Sequence, residues 1–257
     1  MSKERLAALS STAVILLTFA ETARANTSYN VDYVNNGSFS LTTNGTGQLT
    51  FNTVATDWTS DKYNATTDGY NFLFAPGIAD TTGATGADGN LKLWGPNDGS
   101  ANGLPASSPD GGNYIAADGV YEQGAITQQI VDLTVGDQYT VGFWWAGAQQ
   151  EGFNGATTEW WDVTLGDQTR QTTVVSNATH GFTGWEYVSF NFIADASDTV
   201  TPLLSFLAGG TPAGEPPFVL LDGVNLYQTP EPATYAMIGL GLVAIPLAAR
   251  LRKRRKS

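Results

Sequence analysis

Trp144, Trp160, Glu159 and Gln149 are the side chains of this chain best suited to holding a sugar. An indole offers a flat face that can stack on a pyranose ring, while an amide and a carboxylate bond its hydroxyls. Cleaving a glycosidic bond asks for more, namely two carboxylates about 5 to 9.5 Å apart across a cleft. Glu151, Glu159 and Asp162 are the acids near enough in sequence to be tried as such a pair. Other chemistries lack their parts. There is no cysteine, which removes disulfides, thiol nucleophiles and cysteine zinc sites together. The single histidine, His180, sits in the turn-like stretch Asn177-Ala178-Thr179-His180-Gly181, and no G-x-S-x-G elbow accompanies it. Asp88-Gly89, Asp98-Gly99, Asp110-Gly111 and Asp118-Gly119 read as turns, at spacings that fit neither an EF-hand loop nor a nonapeptide calcium repeat.

These residues must be carried by strands, because hydrophobicity alternates with a period of two and no helical stripe runs between residues 26 and 228. Tyr139, Val141, Phe143 and Trp145 fall on one face of a strand, with Thr140, Gly142 and Trp144 on the other. Trp161, Val163 and Leu165 oppose Trp160, Asp162 and Thr164, and Val188, Phe190 and Phe192 form a third apolar face. The off-face indoles Trp144 and Trp160 are either binding platforms or supports covered by loops. Short strands bounded by Gly, Asp, Asn and Pro clusters predict an all-β, two-sheet sandwich over 26–228, with 76–119 as long surface loops at one edge.

Within 26–228 the only cations are Lys62, Lys92 and Arg170, whereas all but Glu4, Glu21 and Glu231 of the chain's 24 acids lie there. A domain so acidic has no basic patch with which to release counterions, so nucleic acid and anionic lipid surfaces are excluded as partners. Neutral polymers and divalent cations remain.

Both ends read as delivery signals. Lys3 and Arg5, the apolar stretch Leu6 to Ala20 and the small residues Ala23-Arg24-Ala25 make a signal peptide over 1–25, a substrate for signal peptidase. At the other end, 229–257 contains Pro230-Glu231-Pro232, an apolar run, and the basic tail Arg250, Arg252, Lys253, Arg254, Arg255 and Lys256. Residues 233–251 as a helix would extend roughly 28 Å, enough to cross the ~30 Å hydrocarbon core of the inner membrane. The basic tail would stay cytoplasmic, leaving the Pro-Glu-Pro segment at the opposite surface.

This order of Pro-Glu-Pro box, membrane helix and basic tail resembles the PEP-CTERM sorting signal of Gram-negative bacteria, whose partner is an exosortase that removes the tail. The resemblance implies an exported protein whose mature form resides at the cell surface or in the extracellular matrix. Within the domain, Asn36-Gly37-Ser38-Phe39, 109–116, 126–130, 133–141 and 220–226 resemble successive landmarks of galactose-binding-like jelly rolls, the fold of many carbohydrate-binding modules. That resemblance implies non-catalytic contact with extracellular polysaccharide. It also implies a structural calcium held in part by Asp222, although Ser40 stands where the first-strand acid is expected. Two other readings stay open: a passive matrix protein with no ligand site, and a glycoside hydrolase.

Overall fold

The computed structural model describes residues 31–195 and 203–229. The expected signal peptide (1–25), the Pro-Glu-Pro box, the membrane helix expected over 233–251 and the basic tail lie outside these residues. Sixteen strands follow one another: β1 (Thr42–Thr43), β2 (Gly47–Gln48), β3 (Val54–Ala55), β4 (Thr59–Ser60), β5 (Asn71–Phe74), β6 (Ala84–Gly86), β7 (Gly89–Leu91) and β8 (Tyr114–Asp118) come first. They are followed by β9 (Ile126–Gln129), β10 (Gln138–Gln149), β11 (Thr157–Leu165), β12 (Gln168–Gln171), β13 (Val175–Asn177), β14 (Glu186–Ile193), β15 (Leu203–Thr211) and β16 (Pro217–Thr229). The first sheet has the order β14-β10-β16-β8-β5-β2, and the second β12-β11-β15-β9-β4 with β13 also on β11. The named strand pairs are all antiparallel, and the two sheets pack face to face as a jelly-roll-like sandwich.

The inward faces are those the alternation predicts. Tyr139, Val141, Phe143 and Trp145 of β10 meet Trp161, Val163 and Leu165 of β11, all at most 1% exposed. Phe143 and Trp161 both stand edge-on to Phe206 of β15, and the Trp161 indole N–H donates across the sandwich to the Leu220 carbonyl at 3.1 Å. A buried indole needs such an acceptor.

The segment between β5 and β8 does not behave as an edge loop. It folds over the outer face of the first sheet and encloses a second core, in which Ala79, Leu91, Leu93 and Leu104 pack on Phe72, Phe74, Tyr114, Ala116, Ala148, Phe218 and Leu220. Apolar side chains on the outward face of β5, β8 and β16 require that cover. The cover stops midway. In β10 the residues from Trp145 to Gln149 are buried on both faces, while those from Gln138 to Trp144 alternate between buried and partly exposed apart from buried Gly142. In β16 the same change falls after Asp222. Trp144 and Asp222 are opposite each other in the ladder, so one line across the sheet divides a roofed half from an open one.

Two stretches with the composition of single strands are interrupted. The run 48–53 breaks at Thr50, whose φ of 74° begins a turn, and 170–175 splits into β12 and β13.

Candidate binding face on the first sheet

The open half of the outer face belongs to β14, β10 and β16. Register puts Trp144 beside Tyr187, Gly142 beside Ser189 and Thr140 beside Asn191, with Asn225 and Tyr227 on the far side of β10. The rings of Trp144 and Tyr187 meet edge to face at 5.4 Å between centroids. Gly142 permits this layout, because a Cβ there would lie 2.1 Å from the Tyr187 hydroxyl, so the phenol can lie across the glycine toward Asn225. Asn225 Nδ2 donates to that hydroxyl at 3.4 Å, and the Thr140 hydroxyl donates to Asn191 Oδ1 at 2.7 Å. Tyr187 is 48% exposed and Tyr227 38%. The strip therefore offers aromatic faces interleaved with amides and hydroxyls and has no cation on it.

Asp222 closes the strip at the line of the roof. It is fully buried, its Oδ2 accepts from the Ser108 hydroxyl, and its Oδ1 has no hydrogen-bond partner. Burial pushes its carboxyl up to about 7, and the nearby Asp110 adds to the rise. Gly223, with φ of 58°, brings the backbone so close that a Cβ would lie 3.0 Å from Trp144 Cδ1 and 3.1 Å from Asp110. Ser40 instead hydrogen-bonds Ser38. Among the described residues no group of three or more His, Cys, Asp or Glu is placed to hold a metal ion.

The remaining residues singled out by sequence go elsewhere. Trp160 lies on the outer face of the second sheet, away from Trp144, with its ring over Gly209, where a Cβ would fall 2.2 Å from Cε2. Its immediate neighbour Glu159 points inward, as alternation demands. Glu159 is fully buried, accepts from the Thr157 hydroxyl, and burial pushes its carboxyl up to about 7. Gln149 is also buried and structural: its Nε2 donates to the Gly155 carbonyl at 2.8 Å and its Oε1 accepts from the His180 amide at 2.7 Å. The three acids considered for hydrolysis are likewise apart, since Asp162 is bonded by Gln171 on the second sheet's outer face and Glu151 is ion-paired with Lys92.

His180 is held rather than free in solvent. It stacks on Trp94 at 3.9 Å between centroids, its Nε2 lies 2.6 Å from Asn154 Oδ1, and it borders an open depression of about 530 Å³ together with Ser100, Asn102 and Asn177. Tyr187, Asn225 and Tyr227 escaped the sequence reading. The signal that could have found them is the alternation itself, which puts Tyr187 on the face opposite Val188 and Tyr227 opposite Leu226.

Residues 228–255 match the PEP-CTERM protein-sorting motif. No curated protein matches the chain. Among solved structures, TmCBM61 in complex with β-1,4-galactotriose is 17% identical, covering 77% of this chain and 99% of that one, with a TM-score of 0.37. The CBM22-1 xylan-binding domain of Paenibacillus barcinonensis Xyn10C is 8% identical over 66% of this chain and 95% of that one, with a TM-score of 0.30. The enzymatically active domain of bacteriophage CBA120 tailspike protein 4 is 12% identical over 77% of this chain at a TM-score of 0.38, and the aligned part makes up 22% of the tailspike chain. At 8 to 17% identity these likenesses do not extend to any site. The last strand of an all-β sandwich thus runs directly into a PEP-CTERM protein-sorting motif, which this chain carries at residues 228–255.

Proposed function

We propose that the protein is exosortase-processed cargo, delivered to the cell surface or extracellular matrix, whose 26–228 domain contacts neutral extracellular polysaccharide through the Trp144, Tyr187 and Tyr227 strip. The observation that carries this reading is the half-roofed sheet. Loops cover one half of a continuous face and leave bare the half that bears three aromatic rings set among Asn191, Asn225 and Thr140. Rings that stack on sugars, amides that bond hydroxyls and the absence of cations suit an uncharged glycan. Processing would separate the domain from residues 229–257 and release it from the inner membrane.

Affinity electrophoresis of the exported protein through gels containing neutral glucans, galactans or xylans tests the strip. Tyr187→Ala and Tyr227→Ala should each weaken retention roughly tenfold, about 1.4 kcal/mol, with little change in melting temperature. Trp160→Ala, on the opposite outer face, should leave retention unchanged. Equal retention of all three variants and the parent, or loss on Trp160→Ala alone, would contradict the assignment.

A further inference from the structure

We infer that the free edge of β14 is an association surface for a second copy of this chain, which adds its own β14 antiparallel across a two-fold axis. The inference does not depend on polysaccharide contact. β14 pairs with β10 in one unbroken register from Glu186 against Trp145 to Ile193 against Gln138, so its backbone groups alternate regularly between β10 and the outside. The Gln168 side chain fixes which set faces out. Its Nε2 donates to the Ile193 carbonyl at 2.6 Å and its Oε1 accepts from the Ile193 amide at 3.4 Å, so Ile193 turns away from β10. Asn191, Ser189 and Tyr187 share that direction, and among the described residues their outward amides and carbonyls meet no partner.

Gln168 closes the Ile193 end of β14, so the open stretch is Tyr187 to Asn191, whereas the other edges are blunted along their length, as sheet edges in soluble domains usually are. β2 and β4 are two residues each. β2 is flanked by the β6–β7 hairpin, where the Ala87 amide donates to Gln48 Oε1 at 2.8 Å. β12 has four residues and carries Arg170. β14 has eight residues, no proline, no lysine and no bulge, with Tyr187 48% and Ile193 57% exposed. In so acidic a domain it is a nearly neutral run, whose one charge is Glu186 at its start.

A copy of the same strand complements it. With the two-fold axis at Ser189, Tyr187 of one copy faces Asn191 of the other, and the two Glu186 side chains lie six residues apart. That is about 20 Å at roughly 3.3 Å per residue, well beyond the ~8 Å screening length. The two first sheets become one, and the outer-face strips of both copies run side by side.

Two measurements on the full chain, exported in a Gram-negative host, test the pairing. The chain has no cysteine, so Ser189→Cys introduces a unique thiol. Mild oxidation should give a disulfide-linked dimer in at least several-fold higher yield than Thr85→Cys, in β6 beside the far edge. Hydrogen exchange on the unmutated protein gives a second reading without any substitution. The Tyr187, Ser189 and Asn191 amides should exchange rapidly at high dilution and become at least tenfold slower as concentration rises. Equal dimer yields at positions 189 and 85, or exchange at these amides that does not depend on concentration, would overturn the inference. Loss of glycan retention with concentration-dependent protection intact would leave it standing.

Discussion

Trp161→Ala lowers the unfolding free energy by about 3 to 5 kcal/mol, while Trp160→Ala, one residue away, costs less than about 1 kcal/mol. The difference comes from the pleat of β11. Trp161 is fully buried, edge-on to Phe206, with its indole N–H bonded to Leu220, so truncation removes packing and a hydrogen bond and opens a cavity. Trp160 lies on Gly209 at the outer surface, so truncating it opens no internal cavity. A domain of this size has roughly 5 to 15 kcal/mol of stability, and the first change consumes a large share. Denaturant titration reads the effect as a lower midpoint with an unchanged slope. Equal midpoints for the two variants would contradict the assigned faces.

Acidification from pH 8 to pH 5 stabilises the domain, and Glu159→Gln abolishes part of that response. Burial raises the Glu159 carboxyl from 4.5 to about 7 and the Asp118 carboxyl from 3.8 to about 6. Between the ordinary and the raised value the folded protein holds protons that the unfolded chain has released. Stability therefore falls as pH rises through that window, by about 1.4 kcal/mol per pH unit for each group fully affected. Above the raised value the acid ionises in the fold and the loss is complete. Glu159 Oε2 and Asp118 Oδ2 lack hydrogen-bond partners, and the bonds to the other oxygen, from the Thr157 hydroxyl to Glu159 and from the Val120 and Tyr121 amides to Asp118, offset only part of the cost of burial. Self-repulsion among the domain's many acids acts in the same direction. An amide at position 159 has no charge to desolvate, so Glu159→Gln should raise the melting temperature at pH 8 and flatten its rise toward pH 5. A melting temperature that climbs from pH 5 to pH 8 would contradict the burial of these acids as neutral groups.

Alternation carried most of the architecture. The faces Tyr139 to Trp145 and Trp161 to Leu165 are core because a two-residue period admits no other inward set once one face is apolar. What the period hid was the second core. Phe72-Leu73-Phe74, Tyr114-Ile115-Ala116-Ala117 and Phe218-Val219-Leu220-Leu221 are unbroken apolar runs, and such a run in a strand means burial on both faces. Read that way, they require a cover over the first sheet, and the Gly- and Pro-rich stretch 76–112 is the chain available to supply it. The site was legible only in part. Trp144 is at the strip because it is off the core face of β10, but nothing local distinguishes it from Trp160, since which sheet and which side a strand joins is decided by long-range pairing. Glu159 shows the limit of nearness in sequence. In a strand, the adjacent residue is the one that faces the other way.

Mass spectrometry of the protein recovered from its native envelope tests its delivery most directly. An amino terminus near Asn26 and a carboxyl terminus between Pro230 and Ala233 are the expected result, with the basic tail from Arg250 to Lys256 removed. A polypeptide recovered intact from Met1 to Ser257, folded and free in the cytosol, would contradict it.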